Sequence, residues 1–233
     1  MRFLVIQHLD IEPPAMIGDL LLGAGHTLHT LRSDLGESLP DDISAYSGII
    51  VMGGPQSAND AHLPYIREEL HWLADRISDG MPMLGVCLGS QLIAKAAGGS
   101  VSVSPLRELG WYPVFPASDT PGDPVFSSIP ESGLTVFQWH GETFTLPDNA
   151  TLLATHPEVP AQAFRLGHAQ YGMQFHVEVD GPLIEQWMNA GEGERAHLGA
   201  AGLAGLHAGT AVHLQGMHAF CCRMTMNWLN LLR

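Results

Sequence analysis

A cysteine lies between two glycines in the segment Gly85-Val86-Cys87-Leu88-Gly89. The apolar residues before Cys87 predict a buried strand and those after it predict a helix, which places the cysteine at the turn between them. A nucleophile in such a turn needs small neighbours, because larger side chains would clash, and it is exposed at the carboxyl end of its strand. The N-terminus of the helix favours a thiolate and offers free N–H groups to an oxyanion. The spacing therefore predicts a cysteine nucleophile, with a small buried structural cysteine as the alternative.

A histidine and a glutamate lie two positions apart in the segment Gln174-Phe175-His176-Val177-Glu178. In an extended chain, side chains two positions apart point to the same side. His176 could take the proton of Cys87 while Glu178 orients the imidazole, which is the arrangement that a cysteine nucleophile requires. On its own, the pair is also typical of a strand-end histidine beside a solvated glutamate.

Two glycines and a proline, Gly53-Gly54-Pro55, follow the apolar run at residues 48–52. Glycines at the end of a strand let the backbone turn sharply and present N–H groups to an oxygen. An ordinary loop after a strand is the alternative interpretation of this short segment.

Apolar runs alternate with helical patterns through the first hundred residues. Strands are predicted at residues 3–6, 26–31, 48–52 and 83–86, and helices at 13–22, 65–77 and 88–97. This alternation predicts a mostly parallel sheet covered by helices on both faces. Because the carboxyl ends of parallel strands meet at one edge of a sheet, the three segments above can converge there.

The second half of the chain has a different pattern. Short β-like runs at residues 135–139, 151–154, 161–165 and 170–176 predict antiparallel strands added beside the parallel core. Residues 199–216 are rich in Ala, Gly and His and predict a loose connection or weak helix. Apolar residues three or four positions apart then predict a C-terminal helix, in which Cys221 and Cys222 are expected to be core residues.

The composition limits the classes of function. The chain has 233 residues, 45% of them hydrophobic, which is sufficient for one α/β domain. A formal charge of −14 disfavours binding to nucleic acid. No apolar run is long enough for a signal peptide or a membrane span, and three cysteines form no disulfide framework, so we expect a cytoplasmic protein without a membrane partner. The 13 histidines show no metal-ligand spacing, so we expect neither a metal nor a cofactor.

Taken together, these segments resemble the class I (triad-type) glutamine amidotransferases, in the branch similar to the glutaminase domain of GMP synthase. The resemblance extends over about residues 1–190. It rests on the order of GGP at 53–55, GVCLGSQ at 85–91, ELGW at 108–111, WHGETF at 139–144 and QFHVE at 174–178. It implies a flavodoxin-like, three-layer α/β fold in a single domain, residues 1–233, with residues 191–233 as a helical tail.

The same resemblance implies roles for individual residues. Cys87 is the nucleophile, His176 the base and acid, and Glu178 the third member of a catalytic triad. The amides of Gly54 and Leu88 form an oxyanion hole. Further residues on the substrate side are Gly53, Gln91 and His140, although His140 could equally be structural. Many relatives have proline where this chain has Val177, a difference that affects local rigidity more than chemistry.

The implied substrate is L-glutamine or another γ-glutamyl compound, and the implied partner is a separate synthetase that accepts ammonia. Three alternatives stay open. The same triad could hydrolyse or transfer γ-glutamyl groups of peptides, because the acyl-transfer chemistry is the same. The fold could instead serve a non-catalytic regulatory protein or a cysteine peptidase.

Overall fold

The computed structural model describes residues 1–232, and within this range nine strands form one sheet. The strands are β1 (Arg2–Gln7), β2 (Thr27–Arg32), β3 (Gly48–Val51), β4 (Met83–Val86), β5 (Val101–Pro116), β6 (Leu134–Phe144), β7 (Thr151–Thr155), β8 (Ala163–Leu166) and β9 (Gln170–Met173). The main helices are α1 (Ala15–Gly23), α2 (Pro64–Ser78), α3 (Leu88–Ala96), α4 (Gly181–Ala190) and α5 (Glu192–Leu231). None of the helices in the described range is long and apolar enough to cross a membrane.

The sheet has a parallel half and an antiparallel half. Its strand order is β2-β1-β3-β4-β9-β8-β7-β5-β6. The first five strands in this order are parallel to their neighbours. From β9 onward, each neighbouring pair is antiparallel. This topology confirms the predicted parallel core with an added antiparallel section.

Alternate residues of β1 pack into two separate apolar cores. Phe3 and Val5 belong to the core formed with α1, α4 and α5, whereas Leu4 and Ile6 belong to the core formed with α2 and α3. Because side chains alternate across a strand, the two cores lie on opposite faces of the sheet. All four side chains are fully buried, as expected for a central parallel strand.

The strand register aligns the carboxyl ends of β1, β3, β4 and β9. Ile6 pairs with Val51, and Val86 pairs with Met173. Since all four strands run in the same direction, the residues that follow them emerge at one edge of the sheet. This edge carries the segments that the sequence singled out.

The long strand β5 was missed by the sequence patterns. Its sixteen residues include Pro105, Gly110 and Pro113, which are unfavourable inside strands. Antiparallel pairing with β6 holds the strand, and a register shift between Val103 and Glu108 accommodates the irregular part.

Residues 199–216, for which the sequence predicted a loose connection or a weak helix, are helical in the structure. This segment belongs to α5, which changes direction at Gly199, where φ is 59°. The small residues of the segment let the helix approach β5 closely. A Cβ atom on Gly209 would lie 2.4 Å from Cδ1 of Trp111, and Thr210 Oγ1 accepts a hydrogen bond from Trp111 Nε1 at 3.1 Å.

The contact between α3 and β3 gives a test of the fold. A Cβ atom on Gly89 would lie 2.0 Å from the Val51 carbonyl oxygen, which is backbone and cannot move easily. We expect Gly89→Ala to lower the free energy of unfolding by roughly 1–3 kcal/mol. Chemical denaturation measures this change. The control is Gly216→Ala in α5, where nothing lies within 4 Å and the substitution should stabilise the protein by up to about 1 kcal/mol. Equal stability of Gly89→Ala and the wild type would contradict the close packing.

Candidate active site

Cys87 forms the turn between β4 and α3 with an unusual backbone conformation. Its φ of 50° and ψ of −110° are costly for a residue with a side chain. The Cys87 N–H donates to the Met173 carbonyl at 2.8 Å. The Cys87 carbonyl accepts from Ser90 Oγ at 2.7 Å and from the Gln91 N–H at 3.1 Å. These bonds fix the turn and therefore the direction of the thiol.

The glycines around Cys87 have no space for a side chain, as the sequence analysis expected. A Cβ atom on Gly85 would lie 2.7 Å from the Ile93 side chain and 2.8 Å from the Gly89 carbonyl oxygen. The thiol itself is less accessible than expected, because Cys87 is only 6% exposed. Its access to solvent is through a pocket at the sheet edge.

His176 and Glu178 are in direct contact. The His176 Nδ1 lies 2.7 Å from Glu178 Oε1, and the second carboxylate oxygen accepts the Val177 N–H at 2.9 Å. The predicted strand does not continue to His176, since β9 ends at Met173. Instead, the His176 N–H donates to the Phe137 carbonyl of β6 at 2.8 Å, which anchors the segment across the sheet edge.

The surroundings of His176 favour its protonated form. Burial alone would lower the pKa of the imidazole, but the Glu178 carboxylate and the hydrogen bond with Cys87 raise the pKa well above its ordinary value. This environment favours the imidazolium form of His176. The ring also packs edge-to-face on Trp187, with ring centroids 4.7 Å apart.

Gln174 is a neighbour of the thiol that the sequence analysis did not assign to the site. Its Nε2 lies 3.7 Å from the Cys87 sulfur, and it is fully buried. Gln91, expected in the substrate pocket, donates from Nε2 to Gln174 Oε1 at 3.2 Å and to the Glu142 carbonyl at 3.1 Å. A chain of buried amides therefore connects the expected substrate-side residue to the sulfur.

The expected oxyanion-hole residues lie next to each other. A Cβ atom on Gly54 would lie 2.9 Å from Leu88 Cδ2. Neither the Gly54 N–H nor the Leu88 N–H donates to a backbone carbonyl within residues 1–232. Both residues line the pocket together with Cys87. Two amides without backbone acceptors beside a nucleophile are suited to bind a developing oxyanion.

The pocket above Cys87 has a volume of about 580 Å³. Of the other sequence-predicted residues, Gln91, His140 and His176 line it. Among residues 1–232, the one Lys or Arg that lines it is Arg107 of β5, which forms an ion pair with Glu194 of α5. In the part of the chain that the structure describes, no group of His, Cys, Asp and Glu side chains is arranged to hold a metal ion.

His140 has both ring nitrogens directed at protein oxygens. Nδ1 lies 2.9 Å from the Glu142 carbonyl oxygen, and Nε2 lies 3.0 Å from Oε2 of the fully buried Glu108. The ring borders the pocket. The substrate-binding role of His140 stays a prediction, and its contacts favour the structural alternative.

Glu12 is a half-buried carboxylate in the pocket that the sequence analysis missed. A Cβ atom on Gly53 would lie 2.2 Å from Glu12 Oε2 and 3.2 Å from His176 Cε1, so Gly53 leaves space for both side chains. Burial raises the pKa of Glu12 to about 7, an effect that His176 opposes and Glu178 reinforces. No local pattern marks Glu12, which precedes two prolines in a loop.

The fold and this site define a flavodoxin-like α/β protein with a Cys-His-Glu constellation at the carboxyl edge of its parallel strands. The model of the family "Glutamine amidotransferase class-I" matches residues 20–186. The chain therefore belongs to the class I glutamine amidotransferase family, as the sequence motifs indicated.

Relatives and solved structures agree with this assignment. The chain is 34% identical to the glutamine amidotransferase-like protein YfeJ of Salmonella typhimurium over 165 residues, 69% of each chain. It is 36% identical to the GMP synthase of Porphyromonas gingivalis over 143 residues, which are 60% of this chain and only 26% of that enzyme. The crystal structure of a glutamine amidotransferase from Methylobacillus flagellatus has a TM-score of 0.91 at 29% identity, covering 100% of this chain and 95% of that one.

The electrostatic interaction between Glu12 and His176 predicts a measurable shift in the pKa of His176. An ionised carboxylate favours the neighbouring imidazolium, so Glu12→Gln should lower the pKa of His176. The effect requires ionised Glu12, so it should act above about pH 7. An NMR titration of the ring protons, with the His176 signal assigned from His176→Asn, measures this pKa. Glu68→Gln, at an exposed position of α2, is the control. An unchanged His176 pKa in Glu12→Gln would show that the carboxylate does not act on the imidazole.

Proposed function

We propose that this protein is a glutaminase of the amidotransferase type. It hydrolyses the side-chain amide of L-glutamine through a γ-glutamyl thioester on Cys87 and releases ammonia for a separate acceptor-activating synthetase. The observation that carries the proposal is the pairing of His176 with Glu178 in the same pocket as Cys87, Gly54 and Leu88.

In the first half of the reaction, the Cys87 thiolate attacks the amide carbon of the glutamine side chain. The electron pair of the carbonyl moves to oxygen, and the amides of Gly54 and Leu88 donate to this oxyanion. His176, as imidazolium, protonates the leaving nitrogen. The C–N bond breaks, ammonia leaves, and a γ-glutamyl thioester remains on Cys87.

In the second half, neutral His176 takes a proton from water while the oxygen attacks the thioester carbon. A second oxyanion forms at the same amides, and the C–S bond then breaks. Glutamate leaves, and the Cys87 thiolate and the His176 imidazolium are restored. Glu178 stabilises the imidazolium at both stages and keeps the ring in one orientation.

The size of the pocket favours a second candidate function. A volume of about 580 Å³ is within the range that accommodates drug-sized ligands, which are larger than glutamine. Leu109, Trp139 and Trp187 provide apolar surface in it. A γ-glutamyl peptide or amide could place its leaving group there, and the triad chemistry would be the same.

The nucleophile provides the direct test of the proposal. Purified protein is incubated with glutamine, γ-glutamyl dipeptides and a γ-glutamyl thiol conjugate, and released ammonia and glutamate are measured. We expect ammonia from glutamine with the wild type and none with a folded Cys87→Ala variant, because covalent catalysis is lost. Cys222→Ala, which removes a partly exposed thiol of α5, is the control and should retain activity.

The donor preference separates the two functions. Turnover of γ-glutamyl peptides in preference to glutamine would support the hydrolase or transferase. Wild-type turnover by folded Cys87→Ala would overturn both functions. The absence of turnover with every donor would contradict a glutaminase that is active as an isolated chain.

We further propose that Arg107 anchors the α-carboxylate of the γ-glutamyl group. It is the one Lys or Arg side chain of the described residues that lines the pocket, and its ion pair with Glu194 is partly exposed. Glu194 is then available for the α-ammonium group of the same substrate. The pair would match the two charges of an amino acid.

This anchoring role predicts an effect on substrate binding. A hydrogen-bonded charge contributes about 1.5–3 kcal/mol, so Arg107→Gln should raise the KM for glutamine by roughly 10- to 100-fold. The kcat should change little, because the contact forms equally in ground and transition states. Steady-state kinetics measure both constants, with Arg195→Gln at an exposed position as the charge-matched control. A lower kcat at unchanged KM would contradict an anchoring role.

A further inference from the structure

His8 is a fully buried histidine that contacts the glycine loop after β3. It follows β1 directly, and its Nδ1 lies 3.1 Å from the Met52 carbonyl oxygen and 3.2 Å from the Gly53 carbonyl oxygen. A backbone carbonyl can only accept a hydrogen bond. The Nδ1 of His8 must therefore carry a proton and donate it to these oxygens.

The other nitrogen of His8 faces a buried carboxylate. Nε2 lies 3.0 Å from Glu69 Oε2 and 3.2 Å from Glu69 Oε1, and Glu69 of α2 is fully buried. Burial lowers the pKa of His8, but the Glu69 carboxylate raises it above its ordinary value. In the imidazolium form, Nδ1 donates to the backbone carbonyls and Nε2 donates to Glu69. The Glu69 carboxylate stabilises this form, and therefore keeps a proton on Nδ1.

The contact with the Gly53 carbonyl fixes the direction of the next amide. In a trans peptide the C=O and N–H groups point in opposite directions. With the Gly53 carbonyl directed at His8, the Gly54 N–H points away from this buried ring. Gly54 lines the pocket beside Leu88, so its N–H is available on the side of Cys87.

A peptide between two glycines needs such a constraint. Glycine rotates about φ and ψ at little cost, because it has no Cβ atom. Rotation of the Gly53–Gly54 peptide would replace the N–H by a carbonyl oxygen, which repels an oxyanion. Side chains cannot provide the constraint at these positions, since a Cβ atom on either glycine would lie less than 3.0 Å from a neighbouring atom.

We propose that His8, held by Glu69, is a positioning residue that orients the Gly53–Gly54 peptide for oxyanion binding. This role rests on the proposed acyl-transfer activity at Cys87. His8 touches no reacting atom and acts through the backbone of the loop. A loss of the constraint should lower kcat rather than raise KM, because the oxyanion exists only after the attack.

Two substitutions of His8 distinguish the effect of the hydrogen-bond donor to the Gly53 carbonyl from the effect of the rest of the side chain. In His8→Asn the amide nitrogen can take the position of Nδ1 and still donate to the Gly53 carbonyl. In His8→Gln the amide reaches the position of Nε2 instead, so the contact with Glu69 can persist while the donor to Gly53 is lost. Both variants place a neutral amide at the same buried position, and thermal unfolding checks that both are folded.

Kinetics and crystal structures of the two variants test the proposal. We expect His8→Gln to lower kcat on the order of 10- to 100-fold, approaching the effect of losing one oxyanion donor. His8→Asn should retain most of the wild-type kcat. Iodoacetamide, which alkylates the thiolate without an oxyanion, should label Cys87 at the wild-type rate in both variants. The crystal structure of His8→Gln should show a rotated Gly53–Gly54 peptide, and that of His8→Asn the wild-type orientation.

The outcomes for this role differ from those for the proposed function. An unrotated Gly53–Gly54 peptide in crystals of His8→Gln overturns the positioning role, whether or not the wild type hydrolyses glutamine. Equal losses of kcat in the two variants, or equal slowing of alkylation by iodoacetamide, also overturn it. Failure of the wild type to release ammonia, combined with a rotated peptide in His8→Gln, overturns the proposed function and supports the structural role of His8.

Discussion

The backbone of Cys87 is the constraint on which the site depends. A residue with a side chain at a φ of 50° is stable only where its surroundings fix it. Here the neighbouring strand supplies the Met173 carbonyl, and the first turn of α3 supplies Ser90 and the Gln91 amide. The close approach of α3 to β3 then brings the Leu88 amide beside Gly54. This turn therefore positions the thiol and Leu88, and the packing of the parallel strands places Gly54 and the buried Gln174 next to them.

Two buried histidine–carboxylate pairs lie at the same sheet edge and perform different tasks. His176 with Glu178 lies in the pocket of the thiol, and its raised pKa is what a proton donor to the proposed leaving group requires. His8 with Glu69 contacts the backbone of the glycine loop and no reacting atom. A buried ion pair is weak evidence for stability, because desolvation offsets the attraction of the charges. Each pair here instead fixes the orientation of the imidazole ring and determines which ring nitrogen carries a proton. Glu12 lies near both pairs and adds a carboxylate whose pKa of about 7 is close to neutral pH.

The sequence was sufficient for the parallel core and the three main candidate residues, because each depends on local patterns. Apolar runs predicted β1, β3 and β4, and motif spacing indicated Cys87, His176 and Glu178. Long-range packing decided the elements that were missed. β5 exists through its pairing with β6. For the Gly- and Ala-rich part of α5 the sequence left a loose connection or a weak helix open, and in the structure this part is a helix whose Gly209 packs closely on Trp111. Glu12 and the His8–Glu69 pair have no local pattern, since their partners are separated from them along the chain and meet only when the strands align.

Labelling by 6-diazo-5-oxo-L-norleucine tests the central claim, that Cys87 attacks the γ-carbonyl of glutamine, most directly. This diazoketone analogue of glutamine forms a stable thioether with a nucleophilic cysteine that binds the γ-glutamyl group. Intact-mass spectrometry and peptide mapping should find one equivalent of label on Cys87, with protection by excess glutamine and no label on Cys221 or Cys222. A protein that releases ammonia from glutamine while the reagent leaves Cys87 unmodified would contradict the account.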